Sequence, residues 1–243
     1  MFTSNDGALH SQNEPDDSRF SAEKLVIHFE VCARNSTDIP IADFVDGCSE
    51  IRKIVLNLGS AFGLASSDIS EKASILRTRL AEMSAAEAST AAVDYGTSSP
   101  STPSFPLTLQ GLVKWEQARK CENSNTWTYV SGSRTTLRLM WFCDFISLLI
   151  THLLEDETVE LHDCARRAYV VALEPHHTWV VSTAIHTAIH FLPHRADFMA
   201  GLAENSSSPE ELQERLRVFL GLVTPVREAL WKYYRDNNLH ELP

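Results

Sequence analysis

The chain has 243 residues, 44% of them hydrophobic, and a formal net charge of -11 with a pI near 5.3. That is enough apolar material for one substantial core, with nothing forcing a division into two domains. The acidic balance excludes sequence-independent nucleic-acid binding, which needs a basic surface, and restricts any membrane contact to a few local aromatic and basic side chains.

Residues 1–20 are polar and acidic and are predicted to form a disordered tail ahead of a single domain over 21–243. A first helix is predicted over Ser21 to Arg34. Pro40 suits the first turn of a second, in which Phe44, Val45, Cys48, Ile51, Val55 and Leu58 recur every three or four residues until Gly59 stops it. A third covers Ser67 to Met83, with Ile69, Ala73, Leu76 and Leu80 on one stripe. The stretch 84–106, rich in Ser, Thr, Ala and Pro, reads as a flexible surface loop. Leu109 to Cys121 follows as a short amphipathic helix, and Ser131 or Ser133 caps a long apolar one ending near Leu154. Two more helices are expected over Thr158 to Leu173 and His176 to Leu192, then a short segment with Phe198 and Leu202. The last starts at Ser208-Pro209-Glu210-Glu211 and runs to about Asn238, with a kink or break at Pro225. Strand-like alternation is missing, so the prediction is all-α with about eight helices.

Several helices are apolar over more than one stripe, Leu137 to Ile150 above all. Such a helix is either sandwiched between layers or lines an internal cavity, and pattern alone leaves both open. The five cysteines are odd in number and widely spaced, as expected of reduced thiols in a cytoplasmic protein. The N-terminal residues have neither the basic start nor the apolar core of a signal peptide, and no run of about 18 uncharged apolar residues suggests a membrane-spanning helix.

Arg134 and Arg138 stand four apart at the opening of the long apolar helix. Like charges on one helical face repel by a few tenths of a kcal/mol unless an anion bridges them. Guanidinium forks bind phosphate oxygens bidentately, so the pair suggests an amphiphile with its phosphate outside and its hydrocarbon inside. Ordinary surface ion pairs are the other reading. Asp68 and Lys72 are also four apart, in the orientation that stabilises a simple helix ion pair.

In combination, NLGSAFGLASSDISEKASILRTRL, TLQGLVKWEQ, the arginine helix and AYVVALEPHHTWVVSTAIHTAIHFLPHRADFM resemble the glycolipid transfer protein superfamily, and its ceramide-1-phosphate transfer branch in particular, from about Ala42 to Leu239. The resemblance implies a two-layer all-α sandwich enclosing an apolar lipid pocket, which carries one sphingolipid between membranes. By position, Asp68 corresponds to the aspartate that accepts from the ceramide amide, and His177 to the histidine that binds the ceramide carbonyl. Lys72, Arg134 and Arg138 match the cationic trio for the phosphate. The glycolipid branch instead has asparagine at the Lys72 position and a tryptophan sugar platform at the Arg138 position. One departure is Trp141, where some phosphate-binding members carry a further basic residue.

The resemblance also makes Phe145, Ile185 and Ile189 candidate lining for the lipid chains, with plain core packing as the alternative. Trp179 and Val180 match the membrane-docking position, where an indole prefers the interface; a structural tryptophan is the other reading of Trp179. A chain of about 16 methylenes costs roughly 13 kcal/mol to expose to water, which an apolar sleeve avoids.

His186, His190 and His194 invite a metal reading, but Pro193 interrupts the spacing and no cysteine or acidic cluster completes a ligand set. No GxSxG elbow or phosphate-binding glycine loop is present. The expectation is a cytoplasmic, monomeric, non-enzymatic carrier without cofactor or metal, in transient contact with membranes and selecting ceramide-1-phosphate. A glycosphingolipid carrier, a sphingolipid sensor of the same fold, and a helical protein-interaction module with a degenerate lipid site are the alternatives.

Overall fold

In a computed structural model, which describes residues 18–93 and 104–242, nine α-helices and two 3-10 turns account for the regular structure among the described residues. Ser21 caps α1 (Ala22–Arg34) by accepting from the Lys24 N–H. Phe20, assigned by composition to a disordered tail, is instead buried in the core, so the domain begins a little earlier than predicted; residues 1–17 lie outside the described residues. Pro40 precedes α2 (Ile41–Asn57) as its N-cap rather than occupying its first turn. Gly59, at φ +102°, then turns the chain into the 3-10 turn Ser60–Phe62, a conformation glycine takes without steric cost.

The largest departure from expectation is α3 (Gly63–Val93), which continues through 84–93, where Ser and Thr content predicts a loop. Alanine, the strongest helix former, sets the outcome in SAAEASTAA. The rest of that predicted loop, 94–103, lies outside the described residues. Then come α4 (Leu109–Arg119), α5 (Gly132–Glu155), α6 (Leu161–Ala172), α7 (Trp179–Ile189), α8 (Arg195–Ala203) and α9 (Pro209–Asp236). The helix expected from His176 starts three residues later, because Glu174–His176 forms a 3-10 turn. The sixth likewise starts at Leu161, not Thr158. No break occurs at Pro225: α9 runs through it, with Val223 and Val226 buried on either side.

Helices α2, α1 and α9 pack in that order as one layer, with the Phe29 and Phe219 rings meeting edge to face at 5.0 Å between α1 and α9. The second layer centres on α5, flanked by α4 and α6, while α3 joins the layers by packing on both α2 and α5. The architecture is therefore the all-α sandwich that the family resemblance implies. Helix α5 is long and apolar enough to cross a membrane by length and composition, yet its buried residues sit among α2, α3, α6 and α9. Its one mid-helix charge, Asp144, is paired with Arg227 and accepts from Trp231 Nε1 at 2.8 Å, both from α9. Tyr234 adds a third tie, its hydroxyl donating to the Ser133 carbonyl at 2.8 Å.

Candidate functional site

The start of α5 is set by a buried carboxylate. Glu116, on α4, accepts from the backbone N–H groups of Gly132 (2.6 Å) and Ser133 (2.9 Å) and from the hydroxyls of Tyr129, Ser131 and Ser133. It thereby satisfies orphan donors at the positive end of the helix dipole, beside the Ser131 cap that accepts from the Arg134 N–H. Gly132 permits the close approach: a Cβ there would meet Leu112 Cδ2 at 2.5 Å. The Arg79 guanidinium lies 4.1 Å from the Tyr129 ring centroid and closes the cluster. One turn beyond this anchor, α5 presents Arg134 and Arg138.

These two arginines line a polar pocket of about 210 Å³ together with Asp68, Glu71, Lys72 and Ile75 of α3, and with Asn125 and Val130 from the connection between α4 and α5. All three predicted cations thus face one cavity, from two helices. Lys72 is ion-paired with Asp68, as the four-residue spacing allows. Both terminal nitrogens of Arg138 donate to the Leu242 carbonyl at 3.0 Å, because the chain turns back after α9 through Asn238 in the left-handed region. Burial, and then Arg134, push the Arg138 pKa down. Among the described residues no carboxylate pairs with Arg134. Among the described residues the pocket therefore sets three cations against the carboxylates of Asp68 and Glu71, with Arg134 in no ion pair, an arrangement that attracts an anion.

Trp141 does not line this pocket. Its ring stacks on His176 at 3.7 Å with an interplanar angle of 2°, and the Arg138 guanidinium lies 4.3 Å from its centroid. A residue that departs from the family pattern by charge thus buttresses Arg138 by a cation–π contact.

Asp68 also lines a second cavity, of about 450 Å³, whose other walls are almost wholly apolar. Phe145 from α5 and Ile185 and Ile189 from α7, the predicted chain-lining residues, all face it. Phe62, Phe142, Ala165 and Leu173 join them, unsignalled by the sequence pattern because core and cavity positions share the same periodicity. His177 lines the same cavity. Its Nδ1 is 3.0 Å from the Tyr169 hydroxyl, which lies 3.3 Å from Ser182 Oγ. Burial pushes the His177 pKa below its ordinary value and the Tyr169 phenol above its own, so the pair is neutral near pH 7. Tyr169 stands eight residues before His177, and only the fold of α6 against the following turn brings them together. His186, one of the three histidines in the metal reading, is bonded to Glu174 at 2.9 Å.

At the mouth of the apolar cavity Leu64 (87% exposed), Val180 and Val181 line the interior and also face solvent, with Trp179 (78% exposed) beside them. The predicted docking pair Trp179 and Val180 is therefore at the surface. Thr178 caps α7 and fixes the indole at its first position.

A helical sandwich in which a cationic pocket adjoins an apolar cavity, with one carboxylate at their junction, defines a binding protein for a single amphiphile with an anionic head. The family model for glycolipid transfer protein matches residues 39–204, and the chain belongs to that family. It is 23% identical over 229 residues to the ceramide-1-phosphate transfer protein of Rattus norvegicus, covering 92% of this chain and 97% of that one. The crystal structure of the apo mouse ceramide-1-phosphate transfer protein superposes with a TM-score of 0.74 at 24% identity, over 92% of this chain and 100% of that one. The human ceramide-1-phosphate transfer protein in complex with 12:0 ceramide-1-phosphate gives a TM-score of 0.70 at 21% identity, with the same coverage.

Proposed function

We propose that this protein carries ceramide-1-phosphate, one molecule at a time, between membranes, without covalent chemistry. The supporting observation is the meeting of the two cavities at Asp68: a headgroup held in the first leaves its hydrocarbon chains beside the second. The human and rat proteins similar to this one carry that lipid in their names, and the human one was crystallised with it.

Lys72, Arg134 and Arg138 hold the phosphate. Arg138 has five N–H donors and uses one from each terminal nitrogen on Leu242, so three remain for phosphate oxygens. The Asp68 carboxylate accepts from the ceramide amide N–H. His177 Nε2 donates to the ceramide carbonyl, which requires Nδ1 to be the acceptor; the Tyr169 hydroxyl supplies that proton by turning to Nδ1 from Ser182 Oγ, to which it otherwise donates. Phe145, Ile185 and Ile189 take the chains. Trp179 and Val180 enter the bilayer surface, and the carrier works as a monomer from the cytoplasm, in keeping with its five unpaired thiols.

The test is transfer of fluorescent ceramide-1-phosphate between vesicles, with unlabelled competitors. Ceramide-1-phosphate is expected to compete and a neutral glucosylceramide to leave transfer unchanged. Equal competition by the neutral lipid would refute the phosphate assignment.

A further inference from the structure

The connection between α4 and α5 carries the most exposed large apolar side chain described, Trp127, at 97%. It does not dangle. Asn125 and Val130 form an antiparallel bridge beneath it; Thr126 N–H donates to the Tyr129 carbonyl at 3.0 Å, and the Tyr129 N–H returns to Thr126 Oγ1 at 3.1 Å. The root of the turn is fixed by the Tyr129 hydroxyl, which donates to Glu116 at 2.8 Å, and by Ser131 N–H on the Ser124 carbonyl. A turn this firmly tied holds an indole in water, against the preference of an aromatic ring for burial.

The two residues of the bridge, Asn125 and Val130, are also walls of the headgroup pocket. The turn thus walls that pocket and contributes nothing to the lining of the apolar cavity, which Val180 and Val181 line with the exposed Trp179 next to them in the chain. Local charge is inverted here. The chain has 32 acidic against 21 basic residues, yet from Gln117 to Leu139 it carries Arg119, Lys120, Arg134 and Arg138 against Glu122 alone.

We infer that the Trp127 turn is a second membrane-docking element, which inserts its indole into the headgroup layer of an anionic bilayer while the adjoining arginines meet phosphate. The inference rests on the lipid-carrier reading, in which the headgroup pocket must open onto the headgroup plane. With Trp179 next to residues that line the apolar cavity and Trp127 on the turn that walls the headgroup pocket, contact at two points orients the pocket toward the lipid it is to extract. An indole favours this interface, and the local cations are attracted by anionic lipid within a Debye length.

The experiment is flotation of the full chain and of Trp127→Ala with vesicles of phosphatidylcholine, with and without phosphatidylserine, alongside titration of both proteins with a short-chain ceramide-1-phosphate in vesicle-free solution. The variant is expected to bind phosphatidylserine vesicles about tenfold more weakly and to bind the short-chain lipid as the wild type does. Brominated lipids are expected to quench the wild type more than the variant. Equal flotation of the two proteins overturns the inference whatever else binds this turn, and so does a variant that has lost short-chain lipid affinity, which would make Trp127 part of the headgroup site. A wild type that ignores the short-chain lipid sinks the carrier reading and the docking with it, whereas normal short-chain binding with equal flotation sinks the docking alone.

Discussion

The headgroup pocket and the apolar cavity share Asp68 but are bounded in different ways. The pocket is made of a few directional groups on two helices and one turn: Leu242 and Trp141 hold Arg138, Asp68 pairs with Lys72, and Glu116 seats the start of α5. The cavity is made of many interchangeable apolar side chains whose contribution scales with area. In the proposed carrier, selectivity therefore resides in the pocket, where one displaced donor is costly. Capacity resides in the cavity, where volume matters more than identity.

That contrast can be broken most severely at its foundation. Glu116→Ala leaves the Gly132 and Ser133 N–H groups buried without acceptors, and is expected to lower the unfolding free energy by about 3–5 kcal/mol in urea titration. The second test fills the cavity. Ala165→Leu places about three carbons where lipid methylenes would lie, and is expected to weaken binding of any ceramide-based lipid by about 2–3 kcal/mol without loss of thermal stability. Binding that falls only for phosphorylated lipids would contradict the division of labour.

Arg138→Leu makes the opposite cut. It should cost about 2 kcal/mol in ceramide-1-phosphate affinity by calorimetry and leave ceramide itself nearly unaffected. Smaller still is Tyr169→Phe, expected to cost about 1 kcal/mol for all ceramide-based lipids, because His177 loses the hydroxyl bonded to its Nδ1.

The smallest effect concerns pH. Burial is the main cause holding His176 and His177 below the ordinary imidazole value of 6.5. Between that value and the folded ones the unfolded chain binds more protons, so stability rises with pH and is lost as pH falls through this window. Urea titrations from about pH 7 to about pH 5 should show a shallow acid-side decline, flatter in a His176→Gln, His177→Gln variant.

Helix periodicity, capping residues and the four-residue spacing of Arg134 and Arg138 were legible because a helix turns local order into a shared face. The same logic misleads at 84–93, where the helix propensity of alanine prevails over serine and threonine; at Pro225 the helix does not break, with Val223 and Val226 buried on either side. Trp141 shows the boundary within a single residue. Its departure from the family's basic pattern is visible in the chain, but its stacking on His176, 35 positions later, is not.

By itself the sequence determined the helical class, which follows from local periodicity, while the roles of the site residues came from the family resemblance and not from any pattern in the chain. Only the tertiary structure decided that a cation-lined pocket and an apolar cavity meet at one carboxylate, that Glu116 seats the arginine helix, and that Tyr169 bonds His177. Those contacts join residues far apart in the chain, and which of the many buried side chains face one another is settled by the packing of helices rather than by any pattern within one of them.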